Sequence, residues 1–125
     1  IMSGLSNYLE NKLLDHALRN TSYTPATTVY LTLFVGSPTD AGSGGTEVNV
    51  TRQAVTFGAA ASGTVSNSSS VSFASMPAVT VTHVAVYDHL SAGNLLIHGA
   101  LSSNVVAASG DTFTIQANDL DITLD

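Results

Sequence analysis

The sequence predicts a mainly β protein: an N-terminal amphipathic helix followed by an antiparallel β-sandwich of jelly-roll or Ig-like type. Three observations carry this prediction. Apolar residues recur at helical spacing only before Pro25. Beyond Pro25 the period drops to two, the signature of strands with one buried face. Turn-forming clusters then alternate with short apolar runs, and no helical pattern lies between them. A parallel sheet would need crossover helices, so the strands are expected to be antiparallel. The chain divides into residues 1–22, the helix, and residues 23–125, the sandwich.

The helix rests on Leu5, Tyr8, Leu9, Leu13, Leu14, Ala17 and Leu18, which follow the i, i+3, i+4 pattern. Glu10, Lys12, Asp15 and Arg19 fall largely on the other side. Asn7 with Glu10 offers a capping box, and Ser3 or Ser6 would cap a slightly earlier start. Tyr23-Thr24-Pro25 ends the segment. A helix of about 14 residues is marginal alone in water, so its apolar face must dock, on the chain's own sheet or on a neighbour. Leu5, Tyr8, Leu9, Leu13 and Ala17 are the candidate assembly residues.

The first strand follows, with Val29, Leu31, Leu33 and Val35 alternating with Thr28, Tyr30, Thr32 and Phe34. Ser37 to Gly45 reads as a loop. Further strands are expected at Gln53–Phe57, Ser70–Ala74, Val79–Tyr87, Asn94–Leu101, Thr112–Gln116 and Asp119–Leu124, with a weak one at Gly63–Ser66. Turn clusters at Ala61-Ser62-Gly63, Ser91-Ala92-Gly93-Asn94 and Ser109-Gly110-Asp111 separate them. Val79–Tyr87 and Asn94–Leu101 carry apolar residues on both faces, which marks them as central.

Composition excludes several classes of function. Charged residues make up 10% of the 125-residue chain, well below the roughly 25% of a typical domain. Small polar residues fill the gap, with 31 Ser and Thr. The net charge of -6 opposes nucleic acid and anionic membranes as partners. No apolar run has the length of a transmembrane helix. Cysteine is absent, so there is no thiolate chemistry. The sequons at Asn20, Asn49 and Asn67 are chance products of Ser/Thr richness.

The chain carries no motif of catalysis. His16, His83, His89 and His98 have no metal-ligand spacing among themselves. His83 and His98 sit in the two central strands and are expected as satisfied interior histidines. Asp88-His89 reads as turn chemistry. Asp119, Asp121 and Asp125 share a strand face, expected to be solvated rather than calcium-binding, since hard-cation sites draw on tight loops. There is no nucleophile elbow, no phosphate loop and no Trp to floor a sugar site. No enzyme activity and no cofactor are therefore expected. Positive surface charge is the usual guard of sheet edges, yet no expected strand contains a Lys. Such a surface costs little to desolvate and suits burial in an assembly.

One resemblance adds to this reading. Thr27 to Phe34, Pro38-Thr39-Asp40-Ala41-Gly42 and Thr46-Glu47-Val48 resemble blocks of small tailed-phage structural proteins, often labelled tail fibre proteins and sometimes minor capsid or head decoration proteins. Arg52-Gln53-Ala54-Val55-Thr56-Phe57, Gly63-Thr64-Val65-Ser66-Asn67, Val81-Thr82-His83-Val84, Gly93-Asn94-Leu95-Leu96, His98-Gly99-Ala100-Leu101 and Gly110-Asp111-Thr112-Phe113 continue the pattern in order. The chain departs from it at Asn49-Val50-Thr51, where that family has a Gly/Tyr-rich lead, and at Met76-Pro77-Ala78, where it tends to carry a Trp. The resemblance implies a virion protein assembled in the bacterial cytoplasm. The expectation is a capsid decoration or cement protein, a homo-oligomer (a trimer) bound to the major capsid protein. The alternatives are a tail fibre or tail-tip component touching the host, and, further off, a carbohydrate-binding module.

Overall fold

A computed structural model describes residues 2–124. It is mainly β, with antiparallel sheets and one short N-terminal helix. The main sheet runs in the order β1 (Met2–Leu5), β8 (Leu95–Ala107), β7 (Val79–Tyr87), β2 (Val29–Val35), β3 (Thr46–Glu47). A further strand, β4 (Gln53–Val55), shares the outer edge of β2 with β3. Two ribbons complete the strands: β5 (Thr64–Ser66) with β10 (Asp121–Thr123), and β6 (Val71–Phe73) with β9 (Phe113–Ile115). They contribute Val71, Phe73, Phe113 and Ile115 to one core with Leu31, Leu33, Val84 and Val86 of the main sheet. Phe73 and Phe113 meet edge to face at 6.3 Å, a favoured aromatic geometry.

The ribbons are joined through Asn67. Its backbone and side chain are fully buried, and the side chain reaches both strands' connecting segments. Nδ2 donates to the carbonyls of Ser69 and Gln116, and Oδ1 accepts from the Leu120 amide at 2.9 Å. One side chain thereby fixes where β5 gives way to β6 and where β9 gives way to β10. The preceding hairpin closes through Ser62 and Gly63, both at positive φ (52° and 74°), with paired amide–carbonyl bonds between Ala61 and Thr64. Two successive left-handed residues match the twist of a two-residue hairpin, which is why glycine follows serine there.

Alternation reads correctly on β2, but on β7 the irregularity between Val81 and His83 puts Val81 in the same core as Val84 and Val86, while Ala85 and Tyr87 face the other side. Leu31 and Leu33 face the main core, while Thr32 and Phe34 face the other side and are still buried. That second face holds a smaller cluster of Phe34, Ala85, Tyr87 and Leu95 beneath the loops. Phe34 and Tyr87 stack there at 6.4 Å and 9°.

Three expectations need correction. The helix expected over residues 1–22 is a strand at Met2–Leu5 and a helix, α1, only at Asn7–Leu18. Leu5 lies four residues before Leu9 and so fits the helical period, but it pairs with Ile97 as an edge strand. Of the caps the sequence offers, the Asn7/Glu10 box does not form, Asn7 being the first helical residue; Ser6 is the cap, as the sequence allowed, its Oγ accepting from the Leu9 amide at 3.1 Å and donating to the Leu95 carbonyl at 2.5 Å. Third, the strand expected to end at Leu101 runs on to Ala107. Four residues, Leu101 to Asn104, bulge opposite Thr82, after which pairing resumes with Val105 facing Val81. Ser-Ser-Asn has the composition of a turn, and here it forms a wide bulge. Asp125 of the expected acidic face lies outside the described residues.

Candidate functional site

The richest convergence of side chains lies around the Asp88–Asn94 turn joining β7 to β8. Asp88 organises it. Its Oδ1 accepts from the Asn94 amide at 2.7 Å and from His89 Nδ1 at 2.7 Å, and its Oδ2 accepts from Asn94 Nδ2 at 3.0 Å. Burial opposes ionisation of this carboxyl, but the bonds from Asn94 and His89 outweigh it and hold the group below its ordinary 3.8. Gly93, at φ +79°, is required: a Cβ there would sit 2.6 Å from Asp88 Oδ1 and 2.8 Å from His89 Cβ. The expected turn chemistry of Asp88-His89 is present in this form.

Arg52 clamps the same turn from below. Its side chain is 7% exposed, the most buried cation of the chain's three. Nε and Nη2 grip the two oxygens of Glu47 at 2.8 and 3.1 Å. Nη1 donates to the carbonyls of His89 and Ala92, both at 2.8 Å. The guanidinium lies 4.0 Å over the Tyr87 ring, so its planar face is used as well as its edge. Glu47 also accepts from Thr32 Oγ1 at 2.6 Å. Burial works to raise the Glu47 carboxyl, yet the hydrogen bonds from Arg52 and Thr32 and the Arg52 charge bring it below 4.5. Burial raises the Tyr87 hydroxyl above 10.0, aided by Glu47 and opposed by Arg52. Among the described residues no buried side-chain nitrogen or oxygen lacks a hydrogen-bond partner, and this cluster holds the turn as a rigid platform.

The platform presents His89 and Leu90 to solvent; Leu90 is 53% exposed. On one flank lies a groove of about 580 Å³ lined by Tyr8, Tyr23, Tyr30, Asp88, His89 and Leu90, with Thr24, Thr27 and Thr28 at its rim. Tyr8 comes from α1, Tyr23 from the linker and Tyr30 from β2, where it pairs across from Tyr87. Burial, then the neighbouring Tyr8 and Asp88, raise the Tyr23 hydroxyl above 10.0.

The sequence-expected assembly residues part company. Leu5, Leu9 and Leu13 line a purely apolar hollow of about 260 Å³ with Val65, Ile97, Ile122 and Leu124. Tyr8 turns instead toward the tyrosine groove, and Ala17 is exposed. No residue of α1 is fully buried, and Leu14 and Leu18 are 56% and 77% exposed. The helix therefore rests on the sandwich's open side through Leu9 and Leu13 and leaves its outer leucines in water.

His83 and His98 do not pair across the ladder. His83 faces Ala100 and binds Thr82 Oγ1, whereas His98 faces Ala85 and donates to Asp40 Oδ1 at 2.7 Å. Among the described residues no cluster of three His, Cys, Asp or Glu could hold a metal ion, and no helix is long and apolar enough to cross a membrane. Ser66 Oγ donates to Asp121 on the acidic strand. Arg52 and the tyrosine groove were missed from sequence. A lone Arg bordering a strand carries no motif, and the tyrosines are separated by up to 22 residues.

This is a small, mainly β protein of antiparallel sheets with one short N-terminal helix. The model of the podophage GP4 fiber I protein gp80 family matches residues 4–123, nearly the whole chain, and the chain belongs to that family. The family is one of phage fibre proteins, so the chain is of the structural, virion-associated kind. No curated protein matches the sequence.

Proposed function

We propose that this protein is a structural subunit of a tail fibre, acting purely by association and facing the host surface through the Asp88–Asn94 platform. The observation that carries the reading is the end-to-end family match, which favours a fibre over decoration of the capsid lattice. The geometry supports it. Arg52, Asp88 and Gly93 hold an exposed turn in one conformation, which lowers the entropy lost when it meets a partner. Strands without a single Lys or Arg favour contacts with further copies or other fibre proteins. Labelling the protein on intact particles tests the reading. A small number of copies at the tail is expected; hundreds spread over the capsid would restore the decoration reading. Light scattering on the isolated protein tests self-association, including the trimer the sequence suggests. A monodisperse monomer at high micromolar concentration would remove it.

A further inference from the structure

We infer that the groove between α1, the 20–28 linker and the Asp88–Asn94 turn is a binding site for an uncharged saccharide. Three of the chain's four tyrosines line it, although they come from three separate segments. Tyrosine combines a flat apolar face, which covers the C–H face of a pyranose, with a hydroxyl that bonds the sugar's rim. Asp88 adds an oriented carboxylate. Three hydrogen bonds already fix it, two on Oδ1 and one on Oδ2, which leaves one Oδ2 lone pair to accept from a sugar hydroxyl. His89 is tethered through Nδ1, which leaves Nε2 to the ligand side. The threonines at the rim supply further small hydroxyls.

Charge decides the ligand class. No Lys or Arg lines the groove, an ionised Asp88 sits inside it, and the chain carries -6 overall. The ionised Asp88 and the net charge both repel an anionic ligand such as a phosphate or a sugar acid, offset only in part by Lys12, whose Nζ lies 5.7 Å from the Tyr8 ring centroid. A volume of about 580 Å³ falls in the ~300–1,000 Å³ range of small-molecule clefts, room for a short oligosaccharide. The absence of Trp weakens a saccharide site when judged by composition alone; the convergence of tyrosines in space supplies what composition lacks. Chemically, this is recognition by stacking and hydroxyl bonding, with no bond made or broken.

The inference deepens the host-contact reading and rests on it. The test uses the full-length protein on an array of neutral and acidic oligosaccharides, followed by calorimetry with the best neutral ligand. Neutral glycans are expected to bind and acidic ones to fail. Tyr23→Ala and Asp88→Asn should each weaken binding at least about tenfold. Since D88N also loosens the turn, Thr24→Arg, an exposed rim substitution that fills the groove without touching the fold, should abolish binding at unchanged melting temperature. No neutral glycan bound, or binding indifferent to both Y23A and T24R, would overturn the inference. Adsorption of the labelled protein to host cells separates the two claims. Cells bound equally by wild type and T24R leave the host-contact reading standing and sink the groove; no adsorption at all sinks the host-contact reading itself.

Discussion

Arg52 does more than any other single side chain to hold the loops to the sheet. It spends four of its five N–H donors on Glu47 and two turn carbonyls while its face covers Tyr87. Removing it strands Glu47 and two carbonyls near Tyr87. Breaking a buried pair costs about 3–5 kcal/mol, and Glu47, one-third exposed at 34%, recovers part of that through water. R52A should therefore lose about 2–4 kcal/mol in urea unfolding. R52K should recover little, because an ammonium cannot fork onto Glu47 and two carbonyls at once. A loss below about 0.5 kcal/mol would mean the loops are held some other way. Asn67 is the polar counterpart within the core. N67A leaves the Leu120 amide and the Ser69 carbonyl without these partners, and the Gln116 carbonyl with the Asp119 amide alone, at about 2–4 kcal/mol in total. The same burial at 0% exposure closes the Asn67 sequon to any glycan in the folded state. Neither role was legible in the sequence. A lone Arg and one Asn in a Ser-rich run look like any surface residue until distant carbonyls are brought to them.

At the scale of elements, legibility followed the strength of period and turn chemistry. β2 was readable because alternation over seven residues has no helical equivalent; β7 was readable as a strand, but the irregularity between Val81 and His83 breaks its period and turns Val81 to the face of Val84 and Val86. The Ser62-Gly63 turn was readable because two left-handed residues need such a pair. β1 was not, since Gly4-Leu5 continues the leucine spacing of α1 and only pairing with β8 distinguishes strand from helix. The far half of β8 was hidden by its own bulge. Between β1 and α1, Ser6 performs two tasks at once, capping the helix and tying it to Leu95. S6A should lower stability by about 1–2 kcal/mol, at the upper end for an N-cap because the buried Leu95 carbonyl also loses its donor. Hydrogen exchange should show the α1 amides opening first in this variant. Protection of α1 equal to wild type would show that Leu9 and Leu13 hold the helix without its cap.

For the molecule as a whole, low charge and open edges give acid pH two separable effects. The first is association. The net charge of -6 vanishes near the isoelectric point of about 4.7, and with it the repulsion between copies. The edge then available is β8 beyond Ala100, where β1 no longer covers it and where Val105 and Val106 are 37% and 79% exposed. The second effect is unfolding. Glu47 and Asp88 have folded values below their ordinary 4.5 and 3.8, so their stabilisation is fully present above those values. It is lost as pH falls below about 4.5 and through the folded values. Between pH 6 and about 4.7 the protein should therefore associate while its urea midpoint stays nearly level; below about 4.5 the midpoint should fall. E47Q, less stable at neutral pH, should lose part of that acid slope, and D88N the rest. V106K should suppress the association without moving the midpoint, because it places a charge on the uncovered edge. N11K adds the same charge on the exposed side of α1 and serves as the control. If both lysines raise association equally, as a smaller negative charge would, net charge alone governs it; if V106K suppresses association and N11K does not, the β8 edge is the surface through which copies meet.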